Sequence, residues 1–302
     1  MSLKPAKSSL STMSDEKLIA KNFAFLYIGE VLGQILSFFL VVAIARYFGD
    51  VGLGKYSFAF SFVSVFLIIA DMGLPTLVTK EVARNKKLTK LHLTKTFTLK
   101  LLLNIGTFII TIAAIFITRR DYETILLVAL ASVAMFFFNL GGIYRAIFQA
   151  YEIMEYEAYM KIVERIIAVS LGIFLIYKGY GMIALFLVLI FSNASYFIMT
   201  HILTKRKISG ISLSVDAESW KKNLKGSIHF WITLVFIILY FKIDTIMLTF
   251  MKGFEATGLY NAAVKIIEVI TRLPFLLNVA IFPSFSKFYN VSKNKTRLLY
   301  EK

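Results

Sequence analysis

The chain has 302 residues, 58% of them hydrophobic, a formal net charge of +16 and no cysteine. Soluble globular chains are about 45–50% apolar, so the excess points to lipid as the main solvent. The missing thiols exclude disulfides, zinc–thiolate sites, iron–sulfur clusters and cysteine nucleophiles, and His92, His201 and His229 are too scattered in sequence for a metal-ligand spacing.

Residues 1–21 read as a polar cytoplasmic tail bearing Lys4, Lys7, Lys17 and Lys21. The apolar run behind it is too long for a signal-peptide core. About eight apolar stretches then reach the roughly 20 residues that cross a hydrocarbon core of about 30 Å. They cover 23–45, 56–77, 97–117, 124–147, 162–177, 182–203, 228–250 and 259–282. Each is expected to be a helix, because an unpaired backbone amide in lipid costs several kcal/mol.

Lys and Arg concentrate in alternate connections. The N-terminal tail, the stretch with Lys80, Arg84, Lys86 and Lys87, and the stretch with Lys205, Arg206, Lys207, Lys221 and Lys222 are rich in them. The intervening connections carry few, such as Arg119, Arg120, Lys178 and Lys252. By the positive-inside rule the N-terminus is cytoplasmic and the chain is multi-pass in a cell membrane. The same alternation accounts for most of the positive charge without a nucleic-acid partner.

A motif repeats within the chain. Gly49-x4-Gly54-x-Tyr56-x2-Ala59 returns as Gly253-x4-Gly258-x-Tyr260-x2-Ala263, each copy lying between two apolar runs. Such a repeat implies two similar lobes, each opening with the same helical hairpin. The expectation is therefore an all-α polytopic membrane protein of about eight transmembrane helices. A six-helix N-lobe occupies 22–203, a cytoplasmic linker 204–226, and the first two helices of an incomplete C-lobe 227–302.

Polar residues inside the spans are the candidates for function, since a charge at the bilayer centre costs about 2.5–3.5 kcal/mol on insertion scales. Tyr27, Glu30, Gln34 and Ser37 share one helical face of the first span, and Ser57, Ser64 and Asp71 share one face of the second. Pro75 follows Asp71 and weakens the helix there. Lys242 and Asp244 in the seventh span are two residues apart and are expected to meet different neighbours. Asn261, Lys265, Glu268 and Arg272 form a stripe at i, i+4, i+7 and i+11. That stripe reads equally well as an internal ion-pair ladder or as the wall of a hydrated pathway. Asn104, Ser132, Asn139, Asn193 and Ser195 read as hydrogen-bonding links between helices. Glu164 and Arg165, beside Glu152, Glu155 and Glu157, read as a solvated interfacial helix. Gly141-Gly142 reads as a close helix approach.

Phe48-Gly49, Gly54-x-Tyr56-x2-Ala59, Ala70-Asp71-Met72-Gly73-Leu74-Pro75 and Lys80-Glu81-Val82-Ala83-Arg84 resemble the N-terminal signature of the polysaccharide-biosynthesis flippases. These are lipid-linked oligosaccharide translocases of the multidrug/oligosaccharidyl-lipid/polysaccharide exporter superfamily. Ile243-Asp244-Thr245-Ile246, Gly258-Leu259-Tyr260-x2-Ala263 and Ala280-Ile281-Phe282-Pro283-Ser284 are similar to the opening of that family's second lobe. The resemblance implies two six-helix bundles around a cavity that opens alternately to each face, and no enzymatic reaction. It implies a cargo of polyprenyl phosphate or pyrophosphate carrying a glycan. Lys242, Lys265 and Arg272 are the expected phosphate contacts. Glu30, Gln34 and Asp71 are expected in the facing lobe, binding sugar hydroxyls or a coupling ion, Na+ or H+, with no other cofactor. Asp244, Asn261 and Glu268 complete the expected cavity lining. A multidrug or small-molecule exporter of the same superfamily stays open as the alternative. So does a truncated, non-transporting fragment or subunit whose missing C-lobe helices come from a partner chain.

Overall fold

The computed structural model describes residues 15–208 and 214–271, and these are helical almost throughout, with no β-strand among them. Helix α1 (Asp15–Asp71) is two crossings joined at Gly49, where φ is 67° and ψ is −172°. Helix α7 (Ala217–Thr271) repeats the device at Gly253, with φ 84° and ψ −175°. Only glycine adopts this backbone region without strain. Each copy of the sequence repeat therefore begins at the residue that turns the chain back across the membrane.

The rest of the chain contributes α2 (Leu74–Arg84), a 3-10 turn (Lys86–Leu88), α3 (Thr89–Ile117), α4 (Tyr122–Ala150), α5 (Met154–Tyr177) and α6 (Met182–Lys207). The second crossing stops at Asp71 rather than at the expected residue 77. Met72 and Gly73 take left-handed φ values of 46° and 67°, and Pro75 near the start of α2 has no N–H to continue a ladder. The stretch expected as an inter-lobe linker is flanked by helix on both sides, because α6 runs to Lys207 and α7 opens at Ala217. Asp216 caps α7 by accepting from the Ser219 N–H at 3.0 Å. The Lys95 ammonium on Asp216, joined by Ser219 donors, holds this carboxyl well below its ordinary range.

Among the described residues, five helices are long and apolar enough to cross a membrane, hinged α1 and α7 included. Helix α5 has 24 residues, about 36 Å at 1.5 Å per residue. It falls outside that group in composition, for its first half carries Glu155, Glu157, Lys161, Glu164 and Arg165.

The outer surface is apolar, and several polar side chains are buried beside the apolar core. Ile28, Leu32, Ile35 and Phe39 on one face of α1 are exposed, whereas Glu30, Gln34, Lys100, Asn104 and Glu164 are buried. Apolar side chains meet lipid, and polar ones turn inward where partners and water reduce their desolvation cost. The bundle is knitted by apolar clusters, one around Phe58, Phe62, Leu127 and Phe186, another around Leu40, Ile44, Ala168 and Leu185. Asn104 donates to Asn139 across α3 and α4 at 3.2 Å. A Cβ on Gly141 would lie 2.7 Å from the Tyr196 ring, which is the close approach expected of that glycine.

The two hairpins cross reciprocally. A Cβ on Gly54 would stand 1.9 Å from the Phe254 carbonyl oxygen, and a Cβ on Gly258 would stand 2.0 Å from the Asp50 carbonyl oxygen. Asp50 and Phe254 hold equivalent places in the repeat, as do Gly54 and Gly258, so the contact is pseudo-symmetric. At the opposite end, Trp231 Nε1 of α7 donates to the Ile68 carbonyl at 3.0 Å. Helix α7 is thereby fastened along the second arm of α1.

Candidate functional site

Two polar chambers lie inside this frame and share Phe138 and Lys161 as a common wall. The first, of about 310 Å³, is walled by both arms of α1, α2, α4 and α5. Its charged lining residues are Glu30, Asp71 and Glu157 against Arg145 and Lys161. The second, of about 400 Å³, lies between α1, α5, α6 and α7. Among the described residues its charged lining is Lys161, Arg165, Lys242 and Lys265 against Glu164, with hydroxyls and amides of Ser57, Ser61, Ser64, Asn193 and Asn261.

Helical periodicity explains both walls. On α1, Glu30 and Gln34 are one turn apart, and Gln34 Nε2 donates to Glu30 Oε1 at 2.9 Å. Gln34 Oε1 is buried and finds no donor among the described residues. Lys161 Nζ donates to the other Glu30 oxygen across the α1–α5 interface. On α5, Glu157, Lys161, Glu164 and Arg165 recur at i, i+4, i+7 and i+8, which places them along one stripe. Gln149 Nε2 donates to Glu157 at 3.0 Å, and Arg145 Nε stands 4.0 Å from the same carboxylate.

Asp71 sits where α1 breaks. Its Oδ1 accepts the Gly73 N–H at 3.1 Å, and its Oδ2 accepts from Lys100 Nζ at 3.1 Å. The Lys100 side chain is fully buried, whereas that of Asp71 is 23% exposed on the first chamber. The ion pair thus feeds the charge of a dry lysine into a carboxylate that water reaches.

The residues expected from sequence are distributed as follows. Glu30 and Asp71 line the first chamber; Gln34, Lys242, Asn261 and Lys265 line the second. Asn261 is also held by Thr245 Oγ1 at 3.2 Å and by the Thr257 carbonyl at 2.9 Å. Asp244 does not line either chamber. Two residues from Lys242 it is turned roughly 200° about the helix, and there it accepts from Tyr260 Oη and from the Thr245 N–H. Its work is to tie the two arms of α7 together. The Glu268 side chain and Arg272 lie outside the described residues, as does the rest of the expected ladder.

Six ionic residues of this region escaped the sequence reading as site residues: Lys100, Arg145, Glu157, Lys161, Glu164 and Arg165. The interfacial assignment of Glu157, Glu164 and Arg165 is corrected, because Glu157 and Glu164 are buried and all three line a chamber. The signal for them was present in the i, i+4, i+7, i+8 stripe. It was hidden by starting the fifth span at residue 162, two turns after α5 begins at Met154. No cluster of metal-ligating side chains occurs among the described residues.

A family model described as polysaccharide biosynthesis protein matches residues 19–289. No curated protein matches the chain in sequence. Solved structures share its fold at low identity. An outward-facing multidrug resistance MATE family transporter of the MOP superfamily superposes with a TM-score of 0.72 at 16% identity, covering 95% of this chain and 68% of its own. A MOP superfamily transporter from Pyrococcus furiosus gives 0.73 at 14% identity, with 95% and 68% covered. A Vibrio cholerae MATE transporter gives 0.66 at 9% identity, with 90% and 65% covered.

Proposed function

The chain belongs to the polysaccharide biosynthesis protein family, and from that membership we propose that it moves a polyprenyl phosphate- or pyrophosphate-linked oligosaccharide from the cytoplasmic to the external leaflet of a cell membrane. The observation that carries the reading is the charge of the second chamber, four cations against one carboxylate among the described residues. A sugar–phosphate headgroup does not cross about 30 Å of hydrocarbon unaided. A cationic, hydroxyl-lined cavity replaces its hydration while the lipid tail stays in the bilayer. Lys242, Lys265, Lys161 and Arg165 contact the phosphate in this scheme. Gln34, whose buried carbonyl oxygen lacks a donor among the described residues, and the carboxylates of the first chamber accept from sugar hydroxyls.

The rival export of cationic drugs is disfavoured by the same sign, since a cation entering the second chamber meets like charges. The coupling ion is Na+ or H+, with Asp71 and Glu30 as the acidic groups that face the first chamber. The first arm of α7 leaves Phe236, Tyr240, Phe241 and Met247 exposed. Further helices of the second lobe, in this chain or a partner, cover that face in our scheme.

The test is equilibrium binding of a fluorescent polyprenyl-pyrophosphate-linked sugar to the detergent-solubilised chain. Saturable binding that pyrophosphate displaces and tetraphenylphosphonium does not is expected. Displacement by the lipophilic cation instead would favour the drug exporter.

A further inference from the structure

Lys161 is the one charged side chain that lines both chambers among the described residues. Its ammonium rests on Glu30, whose side chain is 7% exposed, while Lys161 itself is 26% exposed. The carboxylate is fixed from behind, since Gln34 Nε2 holds its other oxygen at 2.9 Å. The lysine is on a flexible four-carbon stem with three donors, and one turn further along α5 stands Arg165 in the cationic chamber. A mobile cation is therefore tethered to an immobile internal anion at the boundary between a carboxylate-rich chamber and a cation-rich one.

We propose that Glu30 is a built-in competitor for the cargo's phosphate: Lys161 leaves Glu30 to bind the phosphate in the second chamber and returns to Glu30 when the phosphate departs. This rests on the flippase reading above and assigns it a specificity and release device. In the resting arrangement the Glu30 carboxylate occupies Lys161 as an oxyanion would. A phosphate with two or more charges outcompetes it because Arg165, Lys242 and Lys265 also face the second chamber. A singly charged carboxylate or sulfonate lipid gains less from those cations and leaves Lys161 where it is. Glu30 is not stranded by the exchange, because Gln34 stays on it and Arg145 faces the same chamber. The return of Lys161 to Glu30 weakens the hold on phosphate and favours discharge, which a transporter requires as much as capture.

The consequence runs against the usual effect of deleting a polar group from a binding cavity. Glu30→Gln keeps the shape and the link to Gln34 but removes the competing charge. It should tighten binding of farnesyl pyrophosphate to the solubilised full chain on the order of tenfold. Lys161→Met should weaken it by a similar factor, and Lys161→Arg should stay close to wild type. The double variant Glu30→Gln/Lys161→Met should match Lys161→Met alone, because in this exchange Glu30 competes with the phosphate for Lys161. Inorganic pyrophosphate should follow the same order, since the exchange reads the phosphate and not the isoprenoid tail. Thermal melts of the variants accompany each titration, and Glu30→Gln, which leaves Lys161 in place, keeps the test valid if Lys161→Met folds poorly. Unchanged or weaker binding by Glu30→Gln, additive effects in the double variant, or a response limited to the isoprenoid probe would overturn the exchange while leaving the phosphate site standing. A wild-type chain that binds neither probe would remove the phosphate site and the exchange together.

Discussion

Asp71 and Lys100 show how a single ion pair is weighted by its surroundings. Lys100 is wholly buried, and a carboxylate 3.1 Å away offsets its desolvation. Asp71 is partly exposed and has a second donor in the Gly73 N–H. The two truncations are therefore unequal. Asp71→Asn strands a buried ammonium and should cost about 3–5 kcal/mol. Lys100→Met leaves a carboxylate that still has a backbone donor and water, so it should cost clearly less. The double variant should recover part of the Asp71→Asn loss. Denaturant unfolding of the three proteins in one detergent checks the order, and equal losses would contradict this assignment of burial. Sequence reading found Asp71 because a carboxylate in an apolar run is conspicuous. It passed over Lys100, four residues into the third span, because a basic residue at a span's edge ordinarily snorkels to the interface. What turns Lys100 inward is its neighbour on another helix, and no local pattern in the sequence reports that. Asp244 errs in the opposite direction, since its partner Tyr260 lies across the hairpin.

At the scale of elements, the repeat is the feature most fully legible in the sequence, and the structure gives it a physical meaning. Gly49 and Gly253 turn the chain, while Gly54 and Gly258 let the two turns interlock. The roles are separable by substitution. Gly54→Ala or Gly258→Ala drives a methyl to within about 2 Å of a carbonyl oxygen on the other hairpin and should destabilise by about 1–3 kcal/mol, the usual range for overpacking. Gly106→Ala, on α3 with nothing within 4 Å of the added Cβ, should be neutral or stabilising by up to about 1 kcal/mol, since alanine is the better helix former. Melting temperatures of the three variants make the comparison, and a similar drop in all of them would refute the interlock. Helix boundaries were less legible. The break after Asp71 depends on two successive left-handed residues, of which only Gly73 and the nearby Pro75 leave a trace in composition. The early start of α5 is obscured because Glu155, Glu157 and Lys161 depress its hydropathy, although buried Glu157 and half-buried Lys161 line the chambers.

On the scale of the molecule, the hairpin end is closed and the chambers lie behind it. Arg120 reinforces the closure: its guanidinium stands 4.7 Å from the Phe250 ring, 5.3 Å from Phe254 and 6.0 Å from Phe58, and it donates to the Thr249 carbonyl at 3.1 Å. Which side of the membrane this closed end faces decides toward which compartment the chambers are shut in this conformation. From the positive-inside rule we propose that it faces the exterior, because Arg84, Lys86, Lys87 and Lys90 crowd the exposed turn at the other end. The chain has no cysteine, so a single introduced thiol reports its own side without background. Lys252 and Lys87 are both exposed, one beside the Gly253 turn and one in the basic turn. In intact cells a membrane-impermeant maleimide should label the Lys252→Cys variant and spare Lys87→Cys, which should label only after lysis. The reverse pattern would place the interlocked glycines in the cytoplasm. The chambers would then be shut toward the cytoplasm in this conformation, and the N-terminus would lie outside.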